Sequence, residues 1–289
     1  MLASAYVGLR GLHFIAVMLA FGVVMYGAWW AMPSLRRLIM QRFSMVLRWA
    51  LLVNAVSVTL ILMVQGGLMG NGWRDVVRPD IWLAVLETRF GSVWLWQILL
   101  TWVALLVALI RPAKLAPLLL ILCVAQFLLM AGTGHAAMHD GIVGALQRTN
   151  HALHLLCAGA WFGGLLPFLY CLRLTRGHWR ASAIHTMMRY SRYGHVAVAG
   201  VVLSGIANAL LIQGQLIADT AYGRLLLVKC ALVALMVVIA LANRYVLVPR
   251  LKADGAHMQA LFLRTTQAEM ILGALVLAVV SLFATWEPF

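Results

Sequence analysis

Apolar runs of about twenty residues, separated by short polar connections, fill the chain from end to end. Each run is long enough to cross a hydrocarbon layer of ~30 Å as a helix. The pattern predicts eight spans, roughly 4–31, 44–69, 92–110, 115–134, 147–172, 193–213, 223–247 and 265–286. Transmembrane barrel strands would instead read as short alternating segments. The expected fold class is therefore all-α: a polytopic membrane helical bundle of about eight transmembrane helices, forming one membrane domain over 1–289. The first apolar run is long, contains His13 and lacks a small-x-small cleavage pattern before Pro33, so it is expected to be a retained helix rather than a signal peptide.

Composition agrees: 64% of the 289 residues are hydrophobic and 10% are charged, too few charges for a soluble surface of this length. The formal net charge of +14 is unevenly distributed. Alternate connections carry Arg36, Arg37, Arg42 and Arg48; then Arg111 and Lys114; then Arg173, Arg176, Arg180, Arg189 and Arg192; then Arg244, Arg250, Lys252 and Arg264, against the single acid Asp254. The intervening connections mix both signs. The positive-inside rule predicts that the basic connections are cytoplasmic and that both termini are outside, in the periplasm of a Gram-negative bacterium. Topology thus accounts for the excess charge, and no nucleic-acid partner is expected. The tryptophans at 73, 82, 94 and 96 suit an interfacial belt. Cys123, Cys157, Cys171 and Cys230 all lie in apolar runs without CxxC spacing. They are expected to pack as small hydrophobes, not to form disulfides or a zinc ribbon.

The chain also resembles itself. LHFIAVMLAFG at 12–22 matches LHLLCAGAWFG at 153–163, QGGL at 65–68 matches QGQL at 213–216, and Gly91 and Leu95 match Gly223 and Leu227. Two four-helix pseudo-repeats, about 1–140 and 141–289, are predicted, related by an axis along the membrane normal.

Candidate chemistry concentrates in one stretch, GTGHAAMHDGIVGALQRTNHALHLLCAGAWFGG at 132–164. His135, Met138 and His139 lie on its polar connection, and His151 and His154 begin the next span. His151 and His154 are spaced i, i+3, which puts both on one helix face. His135 and His139 are spaced i, i+4 and would converge if that segment were helical. His13 and His154 each lie ~12 Å inside the outer end of a span at 1.5 Å per residue. Imidazole suits copper among other metals, and thioether favours Cu(I), so this mixed set at an oxidising face points to copper, Cu+ or Cu2+. A pair of histidines at matched depth on facing helices is also how b-type haem is held, so His13 and His154 are the ligands of a haem b alternative.

Polar residues inside hydrocarbon normally face the bundle interior. His195, Asn208, Lys229 and Glu269 are candidate exit-side or pathway positions, and Asn54 and Gln97 are also deep. Lys229 and Glu269 lie at different depths, so no direct pair is expected; Lys229 can snorkel toward its interface. His178, His185 and His257 are expected to be solvated, and the methionines at 18, 25, 32, 45 and 63 to pack. Gly159, Gly163 and Gly164 permit close helix approach, which would make the fifth span central.

LRGLHFIAVMLAFG (9–22), VQGGLMGNGW (64–73), FGSVWLWQ (90–97), GTGHA (132–136), NHALHLLCAGAWFGGLLP (150–167), YGRLLLVK (222–229), VVIALANRYVLVPR (237–250) and ATWEPF (284–289) resemble the copper resistance protein D family (CopD/PcoD), especially its YebZ-type inner-membrane members. The resemblance implies a multi-pass inner-membrane copper-homeostasis protein, a transporter or binding protein rather than an enzyme. It implies copper movement from periplasm to cytoplasm and a separate periplasmic CopC-type copper-binding partner. It assigns His13, His135, His151 and His154 as ligands, with Met138 and His139 as further candidates. The chain has no GxxxxGK[ST] nucleotide loop, so a gradient or capture at the far side would drive transport. The alternatives are a haem-bearing redox protein, such as a copper reductase, and a docking partner for a periplasmic copper chaperone that transports nothing.

Overall fold

A computed structural model describes residues 1–110, 112–217, 219–250 and 255–286; Arg111, Lys252, Asp254 and the last three residues of the ATWEPF match lie outside them. Regular structure among the described residues is helical throughout. Helix α1 (Leu2–Met25) continues through a π turn at Tyr26–Trp30. Extended Ala31 then ends it, and Pro33, in the first turn where a missing N–H costs nothing, opens α2 (Pro33–Arg42). Next come α3 (Ser44–Met69), the short α4 (Pro79–Leu86), α5 (Arg89–Ile110) and α6 (Ala116–Ala131). A 3₁₀ turn at Gly134–Ala137 leads to α7 (Gly141–Ala158), which runs through a π turn at Gly159–Gly163 into α8 (Gly164–Leu174). Helix α9 (Arg180–Gln213) and α10 (Ala221–Ala242) follow. A third π turn, Asn243–Leu247, carries α10 into α11 (Val248–Arg250), and α12 (Gly255–Phe283) closes the chain.

Seven helical stretches are long and apolar enough to cross a membrane, and Ala116–Ala131 is a shorter apolar eighth. At 1.5 Å per residue that eighth helix is about 24 Å long, just short of a full span. The polytopic bundle is therefore as expected. Two short helices were not: α2 and α4, of ten and eight residues, lie in the connections between the long apolar runs and are too short to span.

The bundle is organised around a crossing between α1 and the α7–α8 π turn. A Cβ on Gly22 would lie 2.0 Å from the Gly163 carbonyl, and a Cβ on Gly163 would lie 2.0 Å from the Met18 carbonyl. Only glycines allow such an approach. Pro167, four residues beyond Gly163, has no N–H to offer that carbonyl, which instead faces α1. Gly159 packs against Phe127 and Phe21, and Gly164 against Tyr190 and Trp30. The fifth apolar run is thus central, as its glycines predict. Helix α3 packs beside α1, α5 beside α3, α9 beside α7, and α10 beside α12.

Candidate functional site

A cavity of about 270 Å³ lies between α1, α7, α9, α10 and α12, at the end of the bundle bearing the 132–140 connection. His13, His135, His151 and His154 all line it, with Met18 and Met130. Four candidate ligands from three segments therefore share one cavity.

His13 is fully buried on α1 and stands edge-on to Trp94 at 5.9 Å between ring centroids. Its Nδ1 is 2.7 Å from Asn54 Oδ1 on α3, and Asn54 Nδ2 donates to Gln126 Oε1 on α6 at 2.7 Å. An amide oxygen only accepts, so Nδ1 carries the proton and Nε2 keeps its lone pair. That Nε2 is buried and makes no hydrogen bond. His154 repeats the arrangement on α7. Its Nδ1 lies 2.9 Å from Ser204 Oγ on α9, whose own proton goes to the Gly200 carbonyl. His154 therefore donates through Nδ1 and also holds Nε2 unprotonated. Metal-binding imidazoles are typically fixed this way by an acceptor on the ring's other nitrogen.

His151 is bound in the opposite sense. Asn208 Nδ2 donates to its Nδ1 at 3.4 Å, while Asn208 Oδ1 accepts from Asn150 at 2.9 Å. The His151 and His154 rings stack at 6.3 Å with 10° between planes, as the i, i+3 spacing predicts. His135 is half-buried at the mouth, edge-on to Tyr222, and its Nε2 has no partner. Burial lowers its pKa below the usual value, the backbone of Trp286 and Ala284 partly opposes this, and the charge of Arg10 adds to the lowering.

His139 and Met138 are exposed and do not line the cavity. The segment is a 3₁₀ turn rather than an α-helix, so the i, i+4 convergence of His135 with His139 does not arise. His139 Nδ1 instead lies 2.9 Å from Gln147 Oε1, and Gln147 Nε2 donates to the His135 carbonyl, so one amide ties the turn together.

Among the described residues, no three of His, Cys, Asp or Glu stand close enough to enclose one ion. The His151 and His154 rings lie 6.3 Å apart, and the thioethers of Met18 and Met130, a donor type that favours Cu(I), line the same cavity. Asn208 and Lys229 line the same cavity, together with Arg10. Glu269 and His195 line a second cavity, toward the arginine-rich end. Glu269 accepts from Asn243 at 3.0 Å through Oε2, while its buried Oε1 is unpaired. His195 is exposed, donating through Nδ1 to the Ser191 carbonyl at 2.6 Å, with Nε2 3.4 Å from the Tyr245 hydroxyl. Lys229 and Glu269 thus belong to different cavities and do not pair, as their depths predict. Trp161, in the central π turn, lines both cavities.

Sequence reading did not identify Ser204, Gln126, Gln147, Arg10 or Trp161 as part of the site. The usable signal was a polar side chain within an apolar run, which normally points to an interior partner.

Residues 1–145 match the family model "Copper resistance protein D-like, N-terminal domain", and residues 184–283 match "Copper resistance protein D". The chain is 52% identical to the inner membrane protein YebZ of Escherichia coli (strain K12) over 100% of both chains. It is 33% identical to the copper resistance protein D of Pseudomonas syringae pv. tomato, over 82% of this chain and 80% of that one. It is 28% identical to the copper transport protein CutJ of Bacillus subtilis (strain 168), over 96% of this chain and 51% of that one. No solved structure matches the chain.

Proposed function

The chain belongs to the copper resistance protein D family, and from that premise we propose that it takes copper into the histidine-lined cavity and moves it across the inner membrane toward the cytoplasm. Copper is cargo in this reading. The observation that carries it is the matched orientation of His13 and His154, each donating through Nδ1 to a protein acceptor and keeping Nε2 as a free donor atom. His135 would receive the ion at the mouth, with Met130 and Met18 as sulfur donors along the cavity wall. Among the described residues no three such ligands close around one point, which suits an ion that must leave as well as bind. Asn208 and Lys229 stand beside these histidines; His195 and Glu269 would flank the way out.

The basic connections support cytoplasmic placement of the arginine-rich end, so both termini and the cavity mouth would be periplasmic. The exposed His139 and Met138 beside that mouth suit transfer from a periplasmic CopC-type carrier. The paired LHxxxxxxxFG motifs, whose glycines lie at the central crossing, support two pseudo-repeats, about 1–140 and 141–289.

The test is radioactive copper uptake into proteoliposomes. Uptake above that of empty vesicles, lost in His13→Ala/His154→Ala, is expected. Copper binding without flux would leave a docking partner for a chaperone, and uptake equal to empty vesicles would remove the transport reading.

A second reading, a haem b redox protein, has one observation in its favour. Arg10 and Lys229 line the same cavity as His13 and His154, and cations there would pair with haem propionates. The volume weighs against it. About 270 Å³ falls just below the ~300–1,000 Å³ of pockets for drug-sized ligands, so a macrocycle would have to push the helices apart. A Soret band in purified protein, absent from His13→Ala, would establish haem in place of copper.

A further inference from the structure

The second cavity is much larger than the first, about 1750 Å³, and lies at the arginine-rich end between α8, α9, α10 and α12. Part of its inner wall is apolar, with Leu165 and Phe168 of α8 and Val237 of α10 among the lining side chains. Helix α9 packs on α7 and α8 while α10 packs on α12, and α9 and α10 scarcely touch each other. The cavity therefore lies in a gap between α9 and α10. Ile184, Met188 and Leu241 remain exposed along this gap.

Its charge is one-sided. Arg176, Arg180, Arg189, Arg192 and Arg244 all line it. The ion pairs among the described residues involve only Arg78, Arg89 and Arg224, so these five guanidinium groups have no carboxylate partner there. The one lining carboxylate, Glu269, is buried at the far wall and bonded to Asn243. Left unscreened, this charge would oppose a cation leaving past His195 and Glu269. The cavity complements a ligand with an anionic head and apolar chains, and basic pockets between membrane helices are suited to lipid head groups. Guanidinium groups also match phosphate oxygens in their planar, forked geometry.

We propose that this cavity binds an anionic phospholipid, its phosphate held by Arg189, Arg192 and Arg244 and its acyl chains lying between α9 and α10. The bound lipid offsets part of the arginine charge and fills a gap that these helices leave open. The assignment does not depend on what the outer cavity carries.

Native mass spectrometry tests it on full-length protein extracted from membranes containing phosphatidylethanolamine and phosphatidylglycerol. Severalfold enrichment of retained phosphatidylglycerol is expected. Arg189→Gln/Arg192→Gln/Arg244→Gln should abolish it, while Arg37→Gln/Arg42→Gln/Arg173→Gln, an equal charge change outside the cavity, should preserve it. Equal retention of both lipids, or equal effects of the two variants, would overturn the proposal. Wild-type protein gives a reading independent of how the variants fold. Phosphatidylglycerol should raise its unfolding temperature in detergent more than phosphatidylcholine does, and equal shifts, or the same rise from glycerol phosphate alone, would overturn it.

Discussion

Gly22 touches Gly163 backbone to backbone, and each lies nine residues after a histidine, His13 or His154, that lines the same cavity. Nine residues of helix rise about 13–14 Å. The contact therefore sets both imidazoles at a common distance from one fixed point, and the depth of the site follows from a steric fact about two glycines. Gly22→Ala or Gly163→Ala should be strongly destabilising, because the obstructing atoms are backbone and cannot turn aside. A cost at the upper end of the overpacking range, about 3 kcal/mol, is expected. Gly8→Ala, whose Cβ would meet nothing within 4 Å, should be neutral or slightly stabilising. Thermal unfolding in detergent compares the three.

The acceptors behind the imidazoles should matter nearly as much as the imidazoles. Asn54→Ala removes the acceptor that fixes His13 in its Nδ1–H form, and Ser204→Ala does the same for His154. Each should weaken copper affinity by about 10–100-fold, the usual cost of losing such a support. His151→Ala should weaken it less than His154→Ala, because Asn208 already donates to the His151 lone pair. Competition titrations with a copper chelator on purified protein measure all four.

Much of this was legible in the sequence. Span length announced the bundle, and the glycines of 159–164 announced a central helix. The i, i+3 spacing put His151 and His154 on one face. The 3₁₀ turn at 134–137 was not legible, because whether a short polar segment continues a helix depends on what its side chains meet. Here Gln147 reaches back to the His135 carbonyl and fixes a turn that separates His135 from His139. The tautomers were also hidden. Asn54 was readable as a deep polar group, but its contact with His13 joins positions 41 residues apart.

His135 should keep capturing metal in mildly acidic medium. Burial lowers its pKa, so the neutral, ligating form persists below the ordinary histidine value. Protonation competes only as pH falls through that lowered value. The linkage to folding has the same sign. An imidazole held neutral in the fold contributes stability that is complete above the unfolded value of ~6.5 and declines as pH falls below it. The difference in copper binding between wild type and His135→Ala, followed from pH 8 downward, should survive past the point where a solvent-exposed histidine would have titrated. Loss of that difference already near ~6.5 would mean that the ring is solvated.

Trp161 lines both the histidine-bearing cavity and the arginine-bearing one, so its indole is expected to form part of the partition between them. It sits in a π turn, and such turns occur frequently at functional sites. The Tyr190 hydroxyl donates to its backbone carbonyl at 2.7 Å, which holds the turn without engaging the ring. A smaller side chain should therefore open the partition while leaving this hydrogen bond in place. Trp161→Ala should make proteoliposomes leak protons across an imposed pH gradient, and Trp161→Phe should leak much less. The cavity cost of Trp→Ala, about 3–5 kcal/mol, could unfold the protein and mimic a leak. Trp161→Leu, with a smaller void, provides the control. A leak that grows from Phe to Leu to Ala in folded protein identifies a partition, whereas leak-free Leu and Ala variants would mean that other residues close the path.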